Sequence, residues 1–230
     1  MTENGPDGNI NNRERICGIS IIYLLAALTL LIITFPIIEI IPNGLMIESV
    51  LLSLVLILAL LTICNRRSTL IWGIILIIPA LAGKWINYWR PDLMPAEIYL
   101  SAAILVFGFV VFHLLSFILG ARRITPDILY AVMANYLLMG LLWAFSYLLV
   151  FQLIPNSFVF NISTTSNHRF KGFESVYFSF STLSTVGFGD IIPVSSVSRM
   201  LAITESIVGV FYVAILVAQL VALYTNTKKP

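Results

Sequence analysis

Six stretches of this 230-residue chain are almost uninterruptedly apolar: 16–35, 45–64, 69–89, 97–120, 127–154 and 198–224. A helix rising about 1.5 Å per residue crosses the hydrocarbon core of a bilayer in about 20 residues. Each stretch is long enough to do so. Lipid offers no water to satisfy the backbone, so an open chain can cross only as helices. The expected fold is an all-α membrane protein with six transmembrane helices and the lipid bilayer as its surroundings. Composition agrees: 59% of the residues are hydrophobic and 10% charged, against about 25% charged in soluble domains. A water-soluble enzyme, a disordered chain and a nucleic-acid binder are excluded on these grounds. The net charge of +2 implies no polyanionic partner. The first stretch lacks the short core and cleavage site of a signal peptide and reads as a retained span.

Residues 1–15 are polar and end in Arg13 and Arg15, which suggests a mobile cytoplasmic tail. Turn residues separate the spans: Pro36, Pro42, Asn43 and Gly44, then Asn65–Ser68, then Pro91–Pro95. Thr125, Pro126 and Asp127 read as an N-cap, a first-turn proline and a first-turn acid. With the N-terminus inside, Arg13, Arg15, Arg66, Arg67, Arg122, Arg123, Lys228 and Lys229 face the cytoplasm. Lys84, Arg90, Arg169, Lys171 and Arg199 then fall outside. That bias favours a multi-pass cell-membrane protein with both termini cytoplasmic. Trp85, Tyr88 and Trp89 would sit at the outer interface, where Lys84 can snorkel. Cys17 and Cys64 fall at the reducing cytoplasmic boundary and are expected as free thiols.

Between the fifth and sixth spans the pattern breaks. Residues 155–171 are rich in Asn, Ser and Thr and read as an exposed outer loop. Residues 172–184 follow as a short helix candidate, too short to cross, so it would dip in from the outer side and return. The next residues, Thr185–Val186–Gly187–Phe188–Gly189–Asp190, are not helical material. Non-helical backbone at membrane depth is tolerated where protein buries it or where it lines a water-filled path. Gly187 and Gly189 alternate with L-residues and can adopt left-handed backbone. Successive carbonyls can then face one side, and several copies around an axis would stack rings of oxygens able to replace an ion's hydration shell. The Thr185 hydroxyl would add an oxygen at the inner end. The C-terminal dipole of the short helix would favour a cation there.

The run Ser181–Thr182–Leu183–Ser184–Thr185–Val186–Gly187–Phe188–Gly189–Asp190, followed by Ile191–Ile192–Pro193, resembles the pore signature of potassium channels. The resemblance covers 127–224. It implies that the carbonyls of Thr185, Val186, Gly187 and Phe188, with the Thr185 hydroxyl, bind dehydrated K+, and that Gly189 completes the filter. It also implies a homotetramer whose fifth and sixth spans form an inverted-teepee pore, with no cofactor beyond the permeant K+. The sequence departs from the family at Phe188, where Tyr is commonest, and at Tyr177 and Ser181, where Trp and Glu or Val are frequent. Support of the filter through Asp190, Tyr177 and Ser181 is therefore expected to be built differently. Gly209 falls at the family's inner-helix gating hinge; close helix packing is the alternative reason for a glycine there. Val210, Val213 and Val217 recur at helical spacing and would line an apolar inner cavity that can gate by dewetting.

Glu205 is an acid inside the sixth span, where ionisable groups are costly and have a partner or a role. It is expected to pair with Arg199 or hydrogen-bond the back of the pore helix; the sharper alternative is that it braces the filter from behind and makes conduction pH-sensitive. The fourth span carries no Lys or Arg; His113 reads as an interhelical hydrogen-bonding residue. Gating should therefore not be by voltage. The chain divides into a tail (1–15), a four-helix peripheral domain (16–123), a pore domain (124–225) and a second tail (226–230). The expected function is a potassium-selective channel and not an enzyme. A weakly selective cation channel and a secondary transporter, which would show two related halves, are the alternatives.

Overall fold

The computed structural model describes residues 7–38, 40–42, 44–62, 67–90, 95–121, 125–161 and 170–226, with backbone alone at 7–19, 67–70, 220 and 223–226. Six long helices form where the apolar stretches lie: α1 (Asp7–Ile38), α2 (Gly44–Thr62), α3 (Arg67–Trp89), α4 (Ala96–Leu119), α5 (Pro126–Leu153) and, after the polar segment, α7 (Ser196–Asn226). All six contain a span long and apolar enough to cross a membrane. This is an all-α membrane protein with six candidate spans. Between α5 and α7 lie strand β1 (Phe158–Phe160), the 12-residue helix α6 (Gly172–Leu183) and strand β2 (Ile191–Pro193). Cys64, Arg66, Arg122, Arg123, Arg169, Lys228 and Lys229 lie outside the described residues, as do the side chains of Arg13, Arg15, Cys17 and Arg67.

The helices pack in an order different from that of the chain. α4 lies between α3 and α5, and α1 contacts α2, α5 and the short α6. One hydrophobic core therefore runs from the first four helices into the last three, from Leu24 and Leu28 through Phe107 and Leu138 to Leu183 and Leu216. Phe107 of α4 stacks on Phe145 of α5, their centroids 5.2 Å apart.

Three local expectations need correction, and the Thr125–Pro126–Asp127 start of α5 is as read. The polar segment before the first span is not a plain tail, because α1 is already helical from Asp7. Its Arg and Glu are good helix formers, and an adjoining helix removes the cost of nucleation. Pro36 does not end α1, which runs two residues further, to Ile38. Thr125 is the N-cap of α5 and Pro126 its first residue, but the Thr125 hydroxyl makes no capping bond; its carbonyl accepts from the Ile128 N–H at 3.1 Å. Lys84 does not simply snorkel. Its Nζ is 2.7 Å from Glu48 Oε1 on α2 and 5.8 Å from the centre of the Tyr99 ring on α4.

The 155–171 segment is not simply an exposed loop either. β1 pairs antiparallel with β2, Phe158 opposite Pro193 and Phe160 opposite Ile191. Phe158 and Phe170 are buried and stacked at 4.5 Å, packed with Tyr147 and Phe178. Burying one such ring is worth about 1.5–3 kcal/mol. This aromatic cluster fixes the chain on both sides of α6.

Candidate functional site

α6 begins with the Glu174 carboxylate accepting from the Lys171 N–H at 3.1 Å. It ends at Leu183, and the chain then turns back on the helix's own last carbonyls. The N–H groups of Ser184 and Thr185 donate to the Phe180 and Thr182 carbonyls at 3.1 and 2.9 Å; those of Val186 and Gly187 both donate to the Ser181 carbonyl, at 2.9 and 3.1 Å. The N–H groups from Ser184 to Gly187 are thus tied back to α6. The carbonyls of the turn, from Thr185 to Phe188, accept no hydrogen bond among the described residues.

Residues 185, 187 and 189 have φ of 60°, 55° and 77°, with ordinary backbone at Val186 and Phe188 between them. For Gly187 and Gly189 this left-handed conformation is free of Cβ strain. For Thr185, a β-branched residue, it is not, and such a residue costs of order 1–3 kcal/mol. Three left-handed residues spaced by two are the geometry the sequence suggested for two of them; Thr185 gave no sign of being the third. Around this turn the chain presents itself outward, Val186 57% and Phe188 67% exposed.

The far end of the turn is pinned at Asp190. Its Oδ2 accepts from the Tyr177 hydroxyl at 2.7 Å, its Oδ1 from the Ile191 N–H at 3.0 Å, and its carbonyl from the Asn161 N–H at 2.8 Å. Burial and then the Asp190 carboxylate push the Tyr177 hydroxyl up to about 12, so it remains a donor at any physiological pH. The Tyr177 ring also stacks on Phe188, 5.8 Å centre to centre. Ser181 does not reach Asp190. Its hydroxyl bonds back to the Phe178 carbonyl at 2.9 Å, and it serves the turn only through its own carbonyl.

Behind α6, Glu205 of α7 is fully buried. Its Oε2 accepts from the Tyr147 hydroxyl of α5, and its Oε1 lies 2.6 Å from the Ser179 Oγ of α6. Arg199 is not its partner; that Nε donates to the Pro193 carbonyl at 3.2 Å. The back-of-helix alternative is the one the structure adopts. Tyr147 and Ser179 were not legible as partners, since they stand 58 and 26 residues away in the chain. Close approach needs glycine twice. A Cβ at Gly140 would lie 2.4 Å from the Phe180 ring, and one at Gly209 would lie 2.3 Å from the Leu183 carbonyl oxygen. Gly209 therefore has a packing reason, and α7 runs through it as one unbroken helix. Val210, Val213 and Val217 are exposed on α7. His113 bonds the Phe109 carbonyl of its own helix at 2.9 Å instead of reaching across to another.

Residues 136–226 match the family model described as an ion channel. Over these residues the chain is similar to ion channels. The channel-like segment takes in most of α5 and everything through α7, and leaves the first four helices outside it. No curated protein and no solved structure matches the chain.

Proposed function

We propose that the chain is the subunit of a potassium-selective channel, four copies placing their 185–189 turns around a common axis. The observation that carries this reading is the turn itself: left-handed backbone at 185, 187 and 189, the N–H groups of Thr185, Val186 and Gly187 tied back to α6, and the carbonyls from Thr185 to Phe188 left unclaimed among the described residues. Alternation of backbone hand turns successive carbonyls to one side, and rings of such oxygens replace the hydration shell of a potassium ion. Thr185, Val186, Gly187 and Phe188 supply those carbonyls. Asp190, Tyr177 and Glu205 hold the turn from outside and behind. α6 enters from the outer side, and both termini are cytoplasmic. Val210, Val213 and Val217 line the inner vestibule. Gating is not by voltage, since residues 96–119 contain no Lys or Arg.

Reconstitution into liposomes with a potassium or a sodium gradient tests this. Rapid potassium flux that barium blocks, with little sodium flux, is the expected result. Equal fluxes would make it a weakly selective cation channel, and saturable coupled uptake would make it a transporter.

A further inference from the structure

Glu205 joins three helices, and the hydrogens at that junction can be counted. Ser179 Oγ lies 2.7 Å from the Gly140 carbonyl oxygen and 2.6 Å from Glu205 Oε1. Both are hydrogen-bond distances for oxygen pairs, and each needs a hydrogen between its oxygens. Ser179 owns one hydroxyl hydrogen. The Gly140 carbonyl has none, so unless the one hydroxyl hydrogen is shared between both acceptors, the second comes from Glu205. The Tyr147 hydroxyl hydrogen is already committed to Glu205 Oε2.

The electrostatics agree. An ionised carboxylate held away from water needs a cation or several strong donors. Among the described residues the only ion pair is Lys84–Glu48, and no Lys, Arg or His bonds Glu205. The groups facing it are Tyr147 and, further off, Tyr136 from α5, and Ser179 from α6. On its own helix, Arg199 is turned to the Pro193 carbonyl.

We infer that Glu205 is a neutral carboxylic acid that bolts α6 to α5 and α7 through a directed chain: Tyr147 O–H to Oε2, Oε1–H to Ser179 Oγ, Ser179 O–H to the Gly140 carbonyl. It is a positioning residue for the 185–189 turn. The inference rests on the reading of that turn as an ion filter only for its effect on conduction; the proton itself does not depend on it. An acid used in this way donates one hydrogen bond and accepts another, which an amide of the same shape also does. A charge is not required.

The test uses the full-length protein in liposomes, comparing wild type with Glu205→Gln, Glu205→Asp and Glu205→Ala. Glu205→Gln is expected to keep potassium flux and the potassium-to-sodium ratio within about twofold of wild type, because both hydrogen bonds survive. Glu205→Asp, one methylene short, and Glu205→Ala, which strands Tyr147 and Ser179, are expected to cut flux or ratio by about tenfold or more. Infrared spectra of wild type at neutral pH should show the carbonyl stretch of a buried protonated carboxyl, lost in Glu205→Gln. Wild-type flux should be flat across the pH range where a free carboxyl titrates. An assembled Glu205→Gln channel that no longer conducts or selects would overturn the inference, as would a carboxylate band in place of the acid band. If wild type itself passes no ions, the channel reading fails, and the infrared band still decides the proton.

Discussion

At Gly209 an added Cβ would sit 2.3 Å from a backbone oxygen, whereas at Gly187 and Gly189 it would meet nothing within 4 Å. The residue type is the same and the reasons are opposite, so substitution separates them. Backbone cannot swing aside as a side chain can, so Gly209→Ala has to push α7 off the end of α6. Overpacking of this kind costs about 1–3 kcal/mol. The expected result is a lower melting temperature of the detergent-solubilised protein, with flux falling alongside it. Wild-type melting with altered opening would instead assign Gly209 to a hinge. Gly187→Ala has free space but a φ of 55°, where a Cβ costs about 1–2 kcal/mol. That residue should relax toward ordinary backbone and turn its carbonyl away. Melting close to wild type, together with lost potassium selectivity in flux measurements, is the outcome expected there.

Among the elements, α2 and α3 are tied by Lys84–Glu48, whose side chains are 19% and 13% exposed. Removing one partner of a buried pair leaves a stranded charge and costs about 3–5 kcal/mol in full burial; partial exposure brings this pair below that. Lys84→Met should therefore destabilise the protein, and the double change Lys84→Met with Glu48→Met should recover most of the loss, read as melting temperature. The pair matters equally for voltage. A moving charge gains about 2.3 kcal/mol per 100 mV, but Lys84 and Glu48 bonded at 2.7 Å carry no net charge. With no Lys or Arg in 96–119, α4 carries no such cationic side chain for the field to pull. Currents in symmetric potassium should show a conductance nearly independent of voltage, in wild type and in the double variant Lys84→Met with Glu48→Met alike. A steep sigmoidal curve would show that the first four helices sense voltage after all.

On the scale of the whole molecule, α3 and α7 are the least buried of the six spans. Each has 22% of its span buried within the chain, against 56% for α5, and on α7 Ile203, Ile207, Val210, Val213 and Val217 are all exposed. The 185–189 turn is exposed beside α7. One chain supplies one such turn, and a ring of carbonyls needs several, which closed cyclic symmetry provides. Mass measurement in nanodiscs should give four chains per particle. A monomer or dimer that conducts would remove the ring from the mechanism.

Six spans were readable from the chain alone, though not the start and end of α1, because the rule behind them is local: a run of about 20 apolar residues is a helix in lipid whatever its neighbours do. The 185–190 turn was readable for the same reason, since Gly187 and Gly189 carry their conformational freedom in their own identity. The cost of an acid inside a span marked Glu205 out as well. Its partners were beyond reach, because Tyr147, Ser179 and Gly140 come together only when α5, α6 and α7 pack. The Lys84–Glu48 pair, the buried stack of Phe158 on Phe170, and the close approach at Gly209 share that character. Each is a contact between residues far apart in sequence, and short-range periodicity carries no information about which face of one helix meets which face of another. Helix existence is thus a property of the segment; side-chain pairing at this site belongs to the packed bundle.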